Sequence, residues 1–313
     1  ERAPEVIAVD LHPDMHSTRY GRRIAERTGV PVKAVQHHHA HALACLAEHG
    51  REEGLALLMD GTGLGPDGTI WGAELLAVTP DSYRRLATFA PVPLPGGDAA
   101  VVRPARQVVG RLAAAGTELD PTLAQRLAIS PEEGDVWTRQ AQERLNAPLS
   151  HAAGRLFDTF SALLGIAPPS VTYEGQAAIR LEQAAREADS NDGACALAFG
   201  VREADDLLVV DWTEAVVRLA GARAVAEKRA LWAMAAHRAI ARACESMIRY
   251  GFDFVAERSV ALSGGVFMNR ILHDLLVPAM ERRGVELLLH RDTPPNDGCV
   301  SFGQAVAAGR SLD

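Results

Sequence analysis

The stretch VKAVQHHHAHALACLAEHGREEGLALLM, residues 32–59, reads as strand, helix, strand. Residues 32–35 form a short apolar run, residues 40–48 are rich in Ala and Leu, and residues 55–59 are a continuous apolar run of the kind found in strands covered on both faces. The same rhythm continues on both sides. Before it come a strand at 6–9 and a helix at 17–28; after it, residues 70–78 and 83–89 read as a hairpin turned at Pro80 and Asp81. Pro91, Pro93, Pro95, Gly96 and Gly97 then break the pattern, and residues 98–147, with few strand signals, read as a helical insertion. The alternation resumes from Gly154, with a strand at 207–210, a long helix at 227–249, a strand at 259–262, a helix at 267–281, a strand at 285–290 and a closing Ala-rich helix. The fold class is therefore α/β. With 313 residues, 48% of them hydrophobic, the chain exceeds the size at which single cores usually divide, so two lobes are expected.

Composition excludes several function classes. A net charge of -8, spread without long like-charge runs, argues against a non-specific hold on nucleic acid phosphates. Cys45, Cys195, Cys244 and Cys299 lie far apart with no CxxC pairing, which disfavours a disulfide framework or zinc knuckle and suggests reduced thiols in a cytoplasmic protein. No apolar run reaches about 18 residues and no signal-peptide pattern opens the sequence, so neither a membrane span nor export is expected. The sequence opens at Glu1 rather than at Met, which suggests a piece of a longer protein.

Within the opening stretch, His37, His38, His39 and His41 place four of the 11 histidines in five positions. On a helix His37 and His41 stand one turn apart on the same face, and two imidazoles at that spacing can share one metal ion. The alternative is a surface histidine cluster, but apolar runs flank this one. A second candidate is LMDGTGLGPDG, residues 58–68, between two strands. Its glycines Gly61 and Gly63 let backbone N–H groups close on an anion, and Asp60 at the strand end can hold a cation, unless the segment is only a glycine-rich turn. No Gly-Lys-Ser/Thr follows, so a P-loop is disfavoured. Gly264 and Gly265, between a strand and a helix that also carries Asn269, can offer free backbone donors to a nucleotide. Gly154 with Asp158, and Glu174 with Gly175, put acids beside glycines at helix starts, where a carboxylate accepts ribose hydroxyls or complements the helix dipole. Asp297, in PPNDG from Pro294, either caps the following helix or completes a site with the histidines.

Taken in order, DLHPDMHST from Asp10, VQHHHAHALACLAEHG from Val35, DGTGLGPDGTIWGAELL from Asp60, GRLFDTFSALLGI from Gly154, YEGQAAIRLE from Tyr173, LSGGVFMNR from Leu262 and PPNDGCVSFGQA from Pro294 resemble one family. It is the universal actin-like domain of the carbamoyltransferase that matures [NiFe] hydrogenases. The resemblance implies an ASKHA-type, actin-like and ribonuclease H-like two-lobe fold. Residues 1–150 would form the N-terminal lobe with the insertion, 151–293 the C-terminal lobe, and 294–313 a closing segment packed back on the first lobe. It also implies a divalent metal (Zn, Fe or Mn) on His37, His41, Asp60 and Asp297. A nucleotide, as ATP, AMP or carbamoyl-adenylate, would meet Gly61, Gly63, Gly154, Asp158, Gly175, Gly264, Gly265 and Asn269.

The implied reaction passes a carbamoyl group from carbamoyl-adenylate to the C-terminal cysteine thiol of a partner maturation protein, on the way to the cyanide ligand of the hydrogenase iron. Of the two histidines flanking the metal pair, His39 is the candidate base for the incoming thiol, against a packing role for both His38 and His39. The adenylate is expected from a domain upstream in a longer chain or from a separate protein. The competing readings are a nucleotide-binding module without turnover and transfer to a small-molecule hydroxyl.

Overall fold

The computed structural model describes residues 4–188, 195–222 and 225–309. The chain opens with β1 (Ile7–Asp10), α1 (His16–Thr28) and β2 (Val32–Val35), and the two strands pair in parallel. Helix α1 stops at Gly29, whose φ of 73° closes it in the left-handed conformation. Next come α2 (His37–Glu48), β3 (Gly54–Leu64), β4 (Ile70–Val78) and β5 (Tyr83–Phe89). Helix α2 starts three residues before the apolar pattern begins, because the Gln36 side chain caps it by accepting the His39 N–H at 2.8 Å. Strand β3 runs on through Asp60 and the glycines to Leu64, with a break in register between Met59 and Gly63. A bulge there takes the backbone of residues 60–62 out of the ladder while keeping it at the sheet.

The middle of the chain is mainly helical: β6 (Val92–Pro93), α3 (Asp98–Val102), α4 (Pro104–Ala114), α5 (Pro121–Arg126), α6 (Pro131–Glu143), β7 (Leu149–Ser150), α7 (Ala153–Leu163) and α8 (Gln176–Arg186). Proline opens α4, α5 and α6, where its missing N–H costs nothing, and Ser130 with Glu133 closes a capping box on α6. Strands β8 (Gly200–Ala204) and β9 (Leu207–Asp211) form an antiparallel pair, followed by α9 (Thr213–Ala220) and α10 (Arg229–Gly251). The last elements are β10 (Ser259–Ser263), α11 (Arg270–Glu281), β11 (Glu286–Leu288) and α12 (Val300–Gly309).

These elements form two compact units. The first holds residues 1–87, 247–268 and 277–313; the second holds 88–246 and 269–276. The units depart from the lobes expected from chain order. The helical stretch 98–147, expected with the first lobe, belongs to the second unit, while β10 and β11 join the first. The reason is strand pairing. Strand β10 lies parallel to β3 on one side and β11 on the other, so a late segment completes a sheet begun early. The closing segment belongs to the first unit, where α12 packs on α2; its residues 310–313 lie outside the described residues.

In the first unit the sheet runs β11, β10, β3, β4, β5, and α2 packs against β3, β4, β10 and α12. Residues His37 to Leu46 are all buried, so α2 is a central helix rather than an amphipathic surface one. Its apolar side chains Leu43 and Leu46 share a core with Leu58, Trp71, Leu76 and Leu288. Close approach of α12 depends on Gly303, where a Cβ would stand 1.8 Å from the Ala40 carbonyl oxygen. Because the obstacle is backbone, Gly303→Ala is expected to cost about 2–4 kcal/mol in urea unfolding. Gly309→Ala, which meets nothing within 4 Å, is expected to stay within about 0.5 kcal/mol of the parent chain.

Candidate metal centre

The first five residues of α2 deliver three imidazoles to one place. His37, His38 and His41 are buried, and each has its Nε2 shielded from solvent with no hydrogen-bond partner. Their Nδ1 atoms are engaged: His37 with Asp10 Oδ2 at 2.8 Å, His38 with Gln36 Nε2 at 3.3 Å, and His41 with Ser263 Oγ at 3.0 Å and Cys299 Sγ at 3.2 Å. Two carboxylates face the Nε2 atoms. Asp60 Oδ2 is 3.6 Å from His37 Nε2 and 3.7 Å from His38 Nε2, and Asp297 Oδ1 is 3.6 Å from His37 Nε2 and 3.7 Å from His41 Nε2. One ligand atom from each of His37, His41, Asp60 and Asp297 lies within 4.8 Å of the others.

Those separations suit a shared ion. Bonds of about 2.0–2.2 Å set tetrahedral ligand atoms roughly 3.3–3.5 Å apart, too far for direct hydrogen bonds and close to what is seen. A donor set of two imidazole nitrogens and two carboxylate oxygens fits Zn, Fe or Mn. The Asp10 to His37 contact is the outer carboxylate that usually orients a metal-binding imidazole.

The electrostatics agree with the geometry. Burial disfavours a charged His37, but the hydrogen bond to Asp10 and the nearby carboxylates of Asp297 and Asp60 override it and hold the imidazole well above its ordinary range. His41 responds the same way: burial opposes the charge, Asp297 and Cys299 restore it, and the pKa rises to about 9. Burial and the neighbouring His37 drop His38 to about 3, so it is neutral. Burial would raise Asp60, yet the three imidazoles keep it ionised well below the usual carboxylate range.

His39, expected as a base, is turned away from this group. Two positions along a helix rotate a side chain to the far side, where His39 Nε2 donates to the Thr79 carbonyl at 2.8 Å and the ring lies 5.1 Å from that of Tyr83. His38, not His39, faces Asp60. Asp297 does not cap the last helix. The Asn296 side chain accepts the Gly298 N–H, which leaves the Asp297 carboxylate for the imidazoles.

The glycines have local reasons as well. A Cβ on Gly63 would come 2.4 Å from His38 Cε1, and Gly264, at φ 101°, leaves no room for one beside Met59 O at 2.3 Å. Gly265 N donates to Asp60 Oδ1 at 3.1 Å, and Gly264 N donates to Pro295 O at 2.7 Å. Gly61, Gly63, Gly264 and Gly265 thus belong to the first unit with the histidines, whereas Gly154, Asp158, Gly175 and Asn269 belong to the second. Gly175, at φ 73°, starts α8; Asn269 starts α11 by accepting the Leu272 N–H at 2.9 Å and also meets His237 Nε2 at 3.0 Å.

Several supporting residues carry no motif. Glu48, at the far end of α2, accepts N–H bonds from Arg291, Asp292 and Thr293 and bonds the Thr293 hydroxyl, so the helix that carries the imidazoles also holds the loop leading to Asp297. His290 joins Glu48 to Ser263, at 3.2 and 2.8 Å. An acid ending a helix reads as unremarkable in sequence, because its loop partners lie more than 240 residues away. Burial alone would raise the Glu48 pKa, but Thr293 and the loop N–H groups lower it to about 2 from an ordinary 4.5. A depressed carboxylate stabilises the fold above its unfolded pKa and loses that contribution as pH falls through the folded one. Glu48→Gln is therefore expected to cost about 1–2 kcal/mol in urea unfolding at pH 7, with the gap to the parent chain shrinking between pH 4.5 and 2.

Comparison with known proteins gives a consistent result. Residues 56–304 match the family model "Carbamoyltransferase, Kae1-like Domain, second subdomain", and residues 1–48 match "HypF Kae1-like domain". The chain is 38% identical over its full length to carbamoyltransferase HypF of Rhodobacter capsulatus, of which it spans 40%. It is 37% identical to a carbamoyltransferase HypF homolog of Cupriavidus necator, with 98% of this chain and 78% of that one covered. Among solved structures, full-length HypF in a phosphate- and nucleotide-bound form superposes with a TM-score of 0.87 at 30% identity, covering 99% of this chain and 47% of that one. HypF of T. kodakarensis gives 0.81 at 28% identity, covering 98% and 40%.

Proposed function

From the premise that this chain belongs to the HypF carbamoyltransferase family, as its Kae1-like region, we propose that it carries out the transfer half of a carbamoyltransferase reaction. The donor is carbamoyl-adenylate and the acceptor is the C-terminal cysteine thiol of a partner maturation protein, on the route to the cyanide ligand of a [NiFe] hydrogenase. One observation carries the reading: three buried imidazole Nε2 atoms without hydrogen bonds converge with Asp60 and Asp297 at separations that suit a shared cation. The family relation supports the rest. The chain spans 40% of the length of the Rhodobacter capsulatus relative, so the adenylate-forming step is assigned to a domain upstream in a longer chain or to a separate protein.

His37, His41, Asp60 and Asp297 would hold a divalent metal, Zn, Fe or Mn, which supplies positive charge toward an adenylate phosphate and the AMP leaving group. The proposed nucleotide contacts are Gly61, Gly63, Gly154, Asp158, Gly175, Gly264, Gly265 and Asn269. In the transfer itself the partner's thiolate sulfur attacks the carbamoyl carbon. The C–S bond forms, the bond from that carbon to the phosphate oxygen breaks, AMP leaves, and the thiol proton passes to solvent or to a base. His39 Nε2 is occupied by the Thr79 carbonyl, so this mechanism gives the base role to neither His39 nor another residue of the cluster. The reaction is assigned to the cytoplasm, in keeping with four free cysteines; among the described residues no helix is long and apolar enough to cross a membrane.

The test combines elemental analysis with a transfer assay that supplies preformed carbamoyl-adenylate and a partner protein ending in cysteine. About one divalent metal per chain and a carbamoylated thiol are expected for the parent chain. In His37→Ala/His41→Ala metal content should fall below about a tenth and transfer should drop by at least 100-fold. Transfer at the parent rate by a chain without metal would remove the cluster from the reaction. Acceptance of a small-molecule hydroxyl in place of the thiol would replace the acceptor.

A further inference from the structure

A second group of buried charges lies within the second unit, on the facing sides of α4 and α7. Arg111 and Arg155 are 2% and 7% exposed, and one carboxylate, Asp158, at 5%, accompanies them. On α7, Arg155, Asp158 and Thr159 share a face by their spacing; on α4, Gln107 and Arg111 do the same. Arg111 Nε donates to Thr159 Oγ1 at 2.9 Å, and its guanidinium lies 4.4 Å from the centre of the Trp212 ring. Gln107 Nε2 donates to Asp158 Oδ2 at 3.2 Å. Arg155 Nη1 stands 3.1 Å from the same oxygen, an ion pair by distance, but its N–H groups are not directed along the contact.

Unpaired donors outnumber unpaired acceptors here, three guanidinium nitrogens against Gln107 Oε1. Arg111 Nη1 and both Nε and Nη1 of Arg155 are shielded from solvent and make no hydrogen bond. Buried N–H groups without acceptors are rare in folded proteins and call for a bound group. Water would meet the hydrogen bonds but not the charge, since two guanidinium ions face a single carboxylate and burial makes the excess positive charge costly. Burial pulls Arg111 down to about 9, against support from Asp158, which still leaves it protonated at neutral pH. Beside these groups, α7 begins with no side-chain cap and no acid in its first turn, so its end also favours negative charge.

We infer that Arg111 and Arg155, with the start of α7, form a binding site for a phosphoryl oxyanion. A planar guanidinium fork matches phosphate oxygens two at a time, and one negative charge on an oxyanion balances the single excess positive charge that Asp158 leaves. The site is buried, and Arg155, whose side chain keeps 8% of its surface against 2% exposure for Arg111, is the side from which an oxyanion would reach it. This deepens the nucleotide reading above and rests on it only for the source of the phosphoryl group. Gly154 and Asp158, proposed as nucleotide contacts, lie on the same helix, and the nucleotide and free phosphate are the two sources that the experiment separates.

The experiment is titration calorimetry of the full chain with orthophosphate, AMP and adenosine, on the parent, Arg155→Gln and Arg155→Lys, with thermal melts with and without orthophosphate. The parent should bind orthophosphate, Arg155→Gln should weaken it at least tenfold, and Arg155→Lys should recover part of the loss. Because Arg155→Gln removes an uncompensated charge, its melting temperature without phosphate should equal or exceed that of the parent. Unchanged orthophosphate affinity in Arg155→Gln, or no orthophosphate binding by the parent at millimolar concentration, would overturn the site. A lower melting temperature for Arg155→Gln with no anion effect would make Arg155 a structural residue and also overturn it. AMP no tighter than orthophosphate, with both lost in Arg155→Gln, would uphold the oxyanion site and remove the nucleotide as its source.

Discussion

Burying four neighbouring imidazoles at one helix start is the constraint on which the first unit depends. A ring nitrogen taken out of water needs a partner, and consecutive helical residues point in different directions, so the partners must come from different elements. Asp10 comes from β1, Gln36 from the cap, the Thr79 carbonyl from the turn after β4, and Ser263 from the end of β10. Together they set the rotation and depth of α2. Once α2 is held in that way, His37, His38 and His41 can present only Nε2 to the space where Asp60 and Asp297 stand.

The same constraint decides the chemistry of the cluster. With carboxylates 3.6–3.7 Å away, His37 and His41 favour their protonated forms, whereas His38, buried beside His37, stays neutral. A divalent ion that takes the same nitrogens has to release those protons, which couples metal uptake to pH. What it gains is a prepared set of ligands. Asp10 already orients His37, and Ser263 and Cys299 already orient His41, so little ordering remains to be done when the ion arrives.

Some of this was legible in sequence because it was local. The β4 and β5 hairpin shows in two apolar runs around Pro80 and Asp81, and the pairing of His37 with His41 follows from helical period alone. The start of α2 was not, since glutamine is an uncommon cap and its role appears only from the His39 N–H it receives. Strand β8 carries no apolar signal because all five of its residues are exposed. The assignment of residues 98–147 to the first lobe failed for a different reason. Adjacency in the chain was read as adjacency in space, while the sheet of the first unit is completed by β10 and β11, from beyond residue 250. Glu48, His290 and the Arg111 and Arg155 pair were invisible for the same reason, because each is defined by contacts across the fold.

A motif glycine is weak evidence for a ligand when the protein itself already needs the space. Gly63 makes room for His38, Gly264 for the Met59 backbone, and Gly175 supplies a left-handed helix start, so each would be required in a chain that bound nothing. Asn269 likewise caps α11 and meets His237. The reverse holds for groups whose placement costs stability within the fold. Three imidazole nitrogens and three guanidinium nitrogens are shielded from solvent and make no hydrogen bond, which costs stability that a bound partner would restore. They are therefore stronger pointers to function than the glycines, and the partners proposed for them are opposite: a cation beside Asp60 and Asp297 in the first unit, an oxyanion beside Arg111 and Arg155 in the second.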